Sequence, residues 1–147
     1  MWREVRLAML LDAPGAYTTT YRQAVAFDEG TWRSRLAASD TFVATVDGVP
    51  AGGCALFMEG GVDACDASLV AMWVAPAARR RGVGRVLVAA AVDRARDLGL
   101  RRVLLDVVDA NPAARALYEA MGFRLTGSAS PYPHDSAVTQ LQMALDV

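Results

Sequence analysis

A chain of 147 residues with 15 basic and 16 acidic side chains has a formal net charge of −1. The length is that of one domain, residues 1–147, and is enough to bury a substantial core. The balanced charge argues against nucleic acid as a partner, because such proteins usually carry a basic stripe. Two cysteines do not make a disulfide framework and are typical of a reducing compartment. With no signal-peptide core and no apolar run of membrane length, we predict a cytoplasmic protein without membrane partners.

The first half of the chain is predicted to contain two helices and four strands. Asp12 has the character of an N-cap and predicts a helix to Phe27, loosened by the threonines at 18–20. A second helix is predicted to start at residues 28–31. Strands are predicted from alternating or continuous apolar patterns at 2–11, 41–46, 51–57 and 69–74, with a hairpin turn at 47–48 and a loop at 59–66.

The second half is predicted to continue with strands and amphipathic helices. Apolar residues recur at steps of three and four from Gly84 to Leu98, which predicts a helix ended by Gly99. A buried strand is predicted at 103–108, and the strand–helix–strand order favours parallel pairing. A last helix is predicted from the N-cap Asn111 to Gly122. Two final strands are predicted at 123–125 and 138–145, around a loop at 131–135.

The turn at residues 79–84 has the features of a phosphate site. Gly82 and Gly84 lack a side chain, so a ligand can lie close to the backbone. The first amides of the following helix are unpaired and carry the positive end of its dipole, and three arginines precede them. The alternative is a solvated run of charge. A P-loop is excluded because Arg85 follows the second glycine, and a dinucleotide fingerprint because position 87 is leucine.

Two segments together resemble the GNAT superfamily of N-acetyltransferases. Arg79-x-x-Gly82-x-Gly84 resembles the acyl-CoA pyrophosphate loop of that superfamily. Residues 111–123, Asn-Pro-Ala-Ala-Arg-Ala-Leu-Tyr-Glu-Ala-Met-Gly-Phe, resemble its Asn-x-x-Ala-x-x-Leu-Tyr-Glu-x-x-Gly-Phe helix. The segments stand in the family's order, and the resemblance is specific between residues 69 and 123. The predicted order of helices and strands also matches that superfamily, so the resemblance covers most of the chain.

The resemblance implies an α/β (α+β) fold of the GNAT type. The implied order is β-α-α-β-β-β-α-β-α-β-β, with about seven strands in a mixed sheet, splayed central strands and about four helices. It also implies acetyl-CoA as co-substrate, with direct transfer of the acetyl group to an amine in a ternary complex. Backbone groups of Met72, Trp73 and Val74 would pair with the pantetheine arm. The other residues that the resemblance assigns to acetyl-CoA are Arg79, Arg80, Arg81, Gly82, Val83, Gly84, Arg85, Asn111, Arg115 and Tyr118.

Tyr118 is the residue that the resemblance implies as the catalytic general acid. Its phenol would protonate the departing thiolate, because a thiol pKa near 8.5 and a phenol pKa near 10 are close enough for useful transfer. The alternative for Tyr118 is the role of a core aromatic on an amphipathic helix. The alternative for Asn111 is the role of a plain N-cap. The usual glutamate of the strand before the phosphate loop is missing at 67–69. The groups that could serve as the base instead are Asp66, Asp63, Glu59, His134 and a water chain.

The acceptor amine is not specified by the sequence. Candidate acceptor segments are 17–21, Trp32, 59–66 and 128–136, and an amine would suit a nearby carboxylate. A polyamine, an aminoglycoside, an amino acid and a protein N-terminus or lysine all stay open, as does use of other acyl groups.

A non-catalytic acyl-CoA-binding module is the alternative function, and a nucleotide-binding domain fails on motif detail. We predict no metal site and no acyl transfer through Cys54 or Cys65. The resemblance leaves a homodimer open.

Overall fold

Helices cover both faces of one mixed β-sheet in the computed structural model, which describes residues 1–58 and 65–147. The helices are α1 (Trp2–Asp12), α2 (Tyr21–Val25), α3 (Glu29–Ala37), α4 (Val83–Asp97) and α5 (Pro112–Ala120). The strands are β1 (Ser39–Val46), β2 (Val49–Met58), β3 (Asp66–Val74), β4 (Arg102–Val108), β5 (Arg124–Tyr132) and β6 (Asp135–Asp146). Single 3-10 turns lie at Pro14–Ala16 and Pro76–Ala78.

The sheet has the strand order β1-β2-β3-β4-β6-β5, and its central strands separate. β3 and β4 pair in parallel, as predicted from the crossover through α4, whereas the other neighbours are antiparallel. The parallel pairing joins Asp66–Ser68 to residues 102–104 and goes no further. The backbone of β3 from residue 69 to its end therefore leaves its neighbour, which is the splayed arrangement expected for this fold.

The prediction of a strand at residues 2–11 is wrong, because these residues form α1. The apparent alternation runs over only four residues, from Glu4 to Leu7. The buried side chains are instead Val5, Met9 and Leu10, whose spacing of four and five places them on one side of a helix. Tertiary burial of this face against the sheet decides the conformation. The sheet accordingly has six strands within the described residues, where about seven were predicted.

Two other predicted boundaries change. The helix expected from Asp12 to Phe27 is divided into a 3-10 turn and the short α2, and Asp12 ends α1 rather than capping a new helix. Thr20 starts α2 through a capping box, in which its hydroxyl accepts from the Gln23 amide at 3.2 Å. The final hairpin is longer than predicted, so that only residues 133–134 remain outside β5 and β6.

Two adjacent glycines of β2 show how the helices approach the two faces of the sheet. A side chain at Gly52 would point to Leu87 of α4, whereas one at Gly53 would meet Trp2 and Val5 of α1. α4 and α5 enclose the larger core on the first face, and α1, α2 and α3 enclose the smaller core on the second. Helices thus cover both faces of the sheet beside β3. The splayed strands therefore lie between two layers of helices.

We expect Gly52→Ala to lower the free energy of unfolding by about 1–3 kcal/mol. An alanine Cβ would lie 2.6 Å from the carbonyl oxygen of Trp73 and 3.2 Å from Cα of Val74. Both contacts are with backbone, so β2 and β3 must move apart. Urea unfolding measures the effect. Gly15→Ala is the control, because a Cβ there has no neighbour within 4 Å among the described residues; equal stability of the two variants would contradict this packing.

Candidate active site

A cleft of about 760 Å³ lies between the end of β3, the start of α4 and the start of α5. Ten of the thirteen residues that the sequence assigns to acetyl-CoA line it, and Arg81, Arg115 and Tyr118 do not. The ten are Met72, Trp73, Val74, Arg79, Arg80, Gly82, Val83, Gly84, Arg85 and Asn111. Ala13, Ala16 and Tyr17 close the cleft from the side of α1. The two sequence motifs are thus brought together around one space.

The backbone at the start of α4 is arranged to bind an anion. Gly82 is the N-cap with φ +80°, and Arg80 also has a left-handed φ of +63°. The first hydrogen bond of the helix runs from the Val86 amide to the Gly82 carbonyl at 3.1 Å. The amides of residues 83–85 therefore precede the helical ladder and lie at the positive end of a fifteen-residue helix. This is the geometry in which helices bind phosphate.

Gly84 holds the two motif segments in contact. A Cβ at this position would lie 3.1 Å from Leu117 of α5 and 3.7 Å from Val74 of β3. The missing side chain thus lets α4 approach both elements closely, in addition to the role in ligand approach predicted from the sequence. The packing fixes the distance between the phosphate turn and α5.

Arg79 is exposed, but its guanidinium is held by two neighbouring groups of the protein rather than being free to follow a ligand. Its Nε donates to the carbonyl of Val74 at 3.1 Å, and its Nη2 pairs with Asp12 at 2.7 Å. Asp12 also accepts from Nε1 of Trp73 at 2.9 Å. In the parts of the chain that the structure describes, Arg80 and Arg85 form no ion pair. The uncompensated positive charge of the cleft therefore belongs to these two side chains.

A β-bulge in β3 directly precedes the residues of this strand that line the cleft. Gly53 pairs with Trp73 and Ala55 with Val70, so β3 has one residue more than β2 between these pairs. Ala71 in the bulge has φ +54°, a strained conformation for a residue with a Cβ. Because the position is alanine and not glycine, the sequence carries no signal for the bulge. It is one feature of the candidate site that sequence reasoning misses.

Two carbonyls at the end of β3 already have side-chain partners. The Tyr17 hydroxyl donates to the carbonyl of Met72 at 3.3 Å, and Arg79 donates to that of Val74. A carbonyl oxygen has two lone pairs, so both can still accept from a ligand. Tyr17 thereby connects the segment after α1 to the strand that borders the cleft.

Tyr118 lies in the core beside the cleft, where it is 7% exposed. Its ring packs edge-on against Phe123 at a centroid distance of 5.9 Å. Burial raises the pKa of Tyr118 to about 12, with smaller contributions from Cys54 and Tyr17. The phenol is therefore fully protonated at neutral pH. Burial likewise raises the pKa of the Cys54 thiol to about 12, which makes that thiol a poor nucleophile.

The remaining predicted residues have local partners. Asn111 caps α5, since its Oδ1 accepts from the Ala114 amide at 3.1 Å, as expected for an N-cap. Arg115 pairs with Glu119 at 2.9 Å along the same helix. Asn111 lines the cleft while its side chain is used in the cap, so both of its predicted roles are compatible with the geometry.

The groups proposed as the general base lie in different places. Asp66 pairs with Arg102 at 2.8 Å, and this bond lowers the pKa of the Asp66 carboxyl. His134 lies in the β5–β6 turn against the ring of Tyr132. Glu59 and Asp63 fall outside the described residues. An ion-paired carboxylate of lowered pKa is a weak base, so Asp66 is poorly suited to accept a proton.

Asp106 is a carboxylate that the sequence reasoning missed. It stands in β4 two residues beyond Leu104, where the pairing with β3 ends. Together with Ser68 and Val70 it borders a small cavity of about 180 Å³ between the separating strands. Asp106 is exposed, and partial desolvation raises the pKa of its carboxyl above the ordinary value. The one signal in the sequence is a single acid within the apolar run 103–108.

Comparison with known proteins gives consistent matches. A model of the acetyltransferase (GNAT) family matches residues 4–123. A GCN5-related N-acetyltransferase from Kribbella flavida is 28% identical with a TM-score of 0.75, over 99% of this chain and 89% of that chain. A putative acetyltransferase from Salmonella typhimurium, solved with its cofactor acetyl-CoA, is 20% identical with a TM-score of 0.76, over 99% and 86% of the two chains.

Human N-acetyltransferase 8 is 43% identical over 49 residues, which is 33% of this chain. The match spans only 22% of the length of that curated relative. Across the described ranges, no helix combines the length and the apolar character needed to cross a membrane.

Proposed function

Because the chain belongs to the acetyltransferase (GNAT) family, whose co-substrate is acetyl-CoA, we propose that it acetylates a primary amine of a small molecule or peptide. The observation that carries this proposal is the single cleft that contains the phosphate turn, the end of β3 and the start of α5. Unpaired amides, two unpaired arginines and closely packed glycines fit an acyl-CoA pyrophosphate.

The cleft suggests how each part of the co-substrate is held. The amides of residues 83–85 would bind the pyrophosphate, and Arg80 and Arg85 would offset its charge. The backbone from Met72 to Val74 would pair with the pantetheine arm. Tyr17 and Arg79 would then share their carbonyl acceptors with it. The acetyl end would lie near the bulge at Ala71, where β3 leaves β4.

Direct transfer needs one proton acceptor and one proton donor. Asp106 would take a proton from the attacking amine, whose nitrogen forms a bond to the acetyl carbon as the carbon–sulfur bond breaks. The electron pair of that bond goes to sulfur, and Tyr118 would supply a proton to the thiolate. Burial raises the pKa of the phenol, and the same environment would raise that of a departing thiol. The two groups would therefore stay close enough in pKa for transfer.

The proposed function is tested by thiol release from acetyl-CoA with a panel of primary amines. We expect release that depends on both substrates and follows the pH at which the amine becomes neutral. Tight binding of acetyl-CoA without amine-dependent release would contradict catalysis and favour an acyl-CoA-binding module.

We expect Asp106→Asn to lower kcat/KM at pH 7 roughly tenfold, because water can replace part of the function of a general base. The raised pKa means that the carboxyl is protonated, and inactive as a base, up to a higher pH than an ordinary aspartate. The loss should therefore be largest above that pKa and should shrink at alkaline pH, where the amine is already neutral. Rates measured between pH 5 and pH 10 give this profile.

The control for Asp106→Asn is Asp66→Asn, the same change at a carboxylate that is ion-paired with Arg102. It should leave the pH profile unchanged. An unaltered profile for Asp106→Asn, or a larger loss for Asp66→Asn, would contradict the assignment of the base.

A further inference from the structure

A second cavity, of about 250 Å³, lies on the opposite face of the sheet from α4. It is bordered by α1, α2, α3 and by the strands β2 and β3. Its walls combine four aromatic rings with two arginines: Trp2, Phe27, Trp32, Phe57, Arg6 and Arg35. No carboxylate is among the described residues that line it. An apolar cavity with two convergent cations is suited to a small ligand that is itself partly anionic.

The two arginines are positioned without counter-charges. Arg6 lies over the ring of Tyr17 at 4.7 Å, and Arg35 lies over that of Phe27 at 4.5 Å. Within residues 1–58 and 65–147, neither forms an ion pair. Burial lowers the pKa of Arg6; Tyr17 offsets part of this effect, and the charge of Arg35 adds to it. Arg6 is half-buried and Arg35 is exposed, so the repulsion between the two cations acts mainly on Arg6, and a bound carboxylate would remove it.

The indole of Trp32 is a buried polar group at this cavity that lacks a hydrogen-bond acceptor among the described residues. Trp32 is 7% exposed, and in the described part of the protein its Nε1–H lacks an acceptor. A buried donor without an acceptor is unfavourable, and native proteins rarely retain one. Together with Arg6 and Arg35, the Trp32 indole gives the cavity three groups that only donate, while the described lining has no carboxylate to accept from them.

The second cavity meets the acetyl-CoA cleft at the bulge of β3. Val70 and Ala71 line the cavity, and the next residue, Met72, lines the cleft. Tyr17 touches both sides, since its ring lies under Arg6 and its hydroxyl binds the carbonyl of Met72. A ligand in the cavity would therefore lie across one strand from the proposed position of the acetyl group.

We propose that this cavity binds the acceptor, and that the acceptor is an α-amino acid with a compact apolar or aromatic side chain. Its carboxylate would lie between Arg6 and Arg35, its side chain among the rings, and its amine toward the bulge at Ala71. Arginine is the side chain best suited to hold a carboxylate through paired hydrogen bonds. The small volume disfavours an aminoglycoside or a long peptide. This inference rests on the proposed acetyl transfer and specifies its substrate.

The test compares acceptors that differ only in the carboxylate. L-Phenylalanine and L-leucine are each compared with their decarboxylated amines, 2-phenylethylamine and 3-methylbutylamine, in the thiol-release assay. We expect kcat/KM to be at least about tenfold higher for the amino acids after correction for the neutral fraction of each amine, since a hydrogen bond to a charged group is worth about 1.5–3 kcal/mol. Arg6→Gln should lower kcat/KM for the amino acids about tenfold more than it lowers kcat/KM for the decarboxylated amines, because only the amino acids lose a charged hydrogen bond.

Arg35→Gln provides a second variant, because Arg35 is exposed and its replacement does not disturb the core. Arg33→Gln is the matched control on the same helix, where Arg33 pairs with Glu29 away from the cavity. Acetyl-CoA binding should be equal in all three variants. Equal kcat/KM for each pair of acceptors, or a preference that persists in both Arg6→Gln and Arg35→Gln, would overturn the inference.

A calorimetric titration of the unaltered protein with L-phenylalanine separates this inference from the proposed function. If acetyl-CoA is bound but no amine is acetylated, the proposed function fails. Binding of L-phenylalanine that Arg6→Gln weakens would still support the acceptor site. Absence of such binding would overturn it, whatever the outcome of the assay.

Discussion

Tyr118→Phe is expected to lower kcat about 10³-fold while the dissociation constant for acetyl-CoA stays unchanged, because a positioned general acid contributes about 10²–10⁴-fold. The phenol is buried in the core beside the cleft and is protonated at neutral pH. Phenylalanine keeps the edge-on contact with Phe123 and removes only the hydroxyl, so the fold is retained. The change therefore removes the proton donor and little else. Steady-state kinetics and calorimetry measure the two quantities.

Tyr21→Phe is the matched control for this prediction. Tyr21 stands at the start of α2, is partly exposed, and lies outside the residues that line the cleft. A kcat for Tyr118→Phe equal to that of this control would contradict the role of general acid. Since the Tyr118 ring does not line the cleft, that result would make Tyr118 a core aromatic only.

Gly82→Asp is expected to weaken acetyl-CoA binding about 100-fold. A carboxylate about 5 Å from a phosphate oxygen is repelled by about 3 kcal/mol at an effective dielectric constant near 20, which corresponds to this change in affinity. In the free protein a Cβ at Gly82 has no neighbour within 4 Å among the described residues, so the effect is not a packing clash. Calorimetric titration with acetyl-CoA gives the dissociation constant.

Gly48→Asp is the control for the strain that any side chain experiences at a positive φ. Gly48 in the β1–β2 turn has φ +79°, against +80° for Gly82, and likewise has open space around its Cα. Both variants should lose similar stability, and only Gly82→Asp should lose affinity. Equal affinities in the two variants would show that the pyrophosphate does not lie on the turn at 79–84.

The residues of the proposed co-substrate cleft could be picked out from the sequence because their chemistry is local. The turn at 79–84 and the start of α5 are short continuous segments. In them the glycines and the N-cap residue directly indicate the local backbone conformation. The buried strand before the turn and the helix after it follow from simple apolar periodicity. The parallel pairing of β3 and β4 then follows from the crossover between them.

The proposed acceptor cavity could not be predicted because it is built from distant segments. Arg6 and Trp32 come together only when α1 and α3 pack on the sheet, and α1 was expected to be a strand. The bulge at Ala71 depends on pairing with β2, and no glycine in the sequence indicates it. Asp106 gains its environment only where β3 and β4 separate. These features are set by tertiary packing, which a single sequence pattern does not specify.

The most direct test of acetyl-CoA binding in this cleft is a titration of the ¹⁵N-labelled protein followed by amide chemical shifts. The account predicts saturable changes concentrated at residues 72–74, 80–85 and 111–117, with small changes at the opposite end of α4 near Gly99. Saturable binding with shifts at that end and none at 80–85 would contradict the site. Absence of any shift at millimolar acetyl-CoA would contradict the proposed function as a whole.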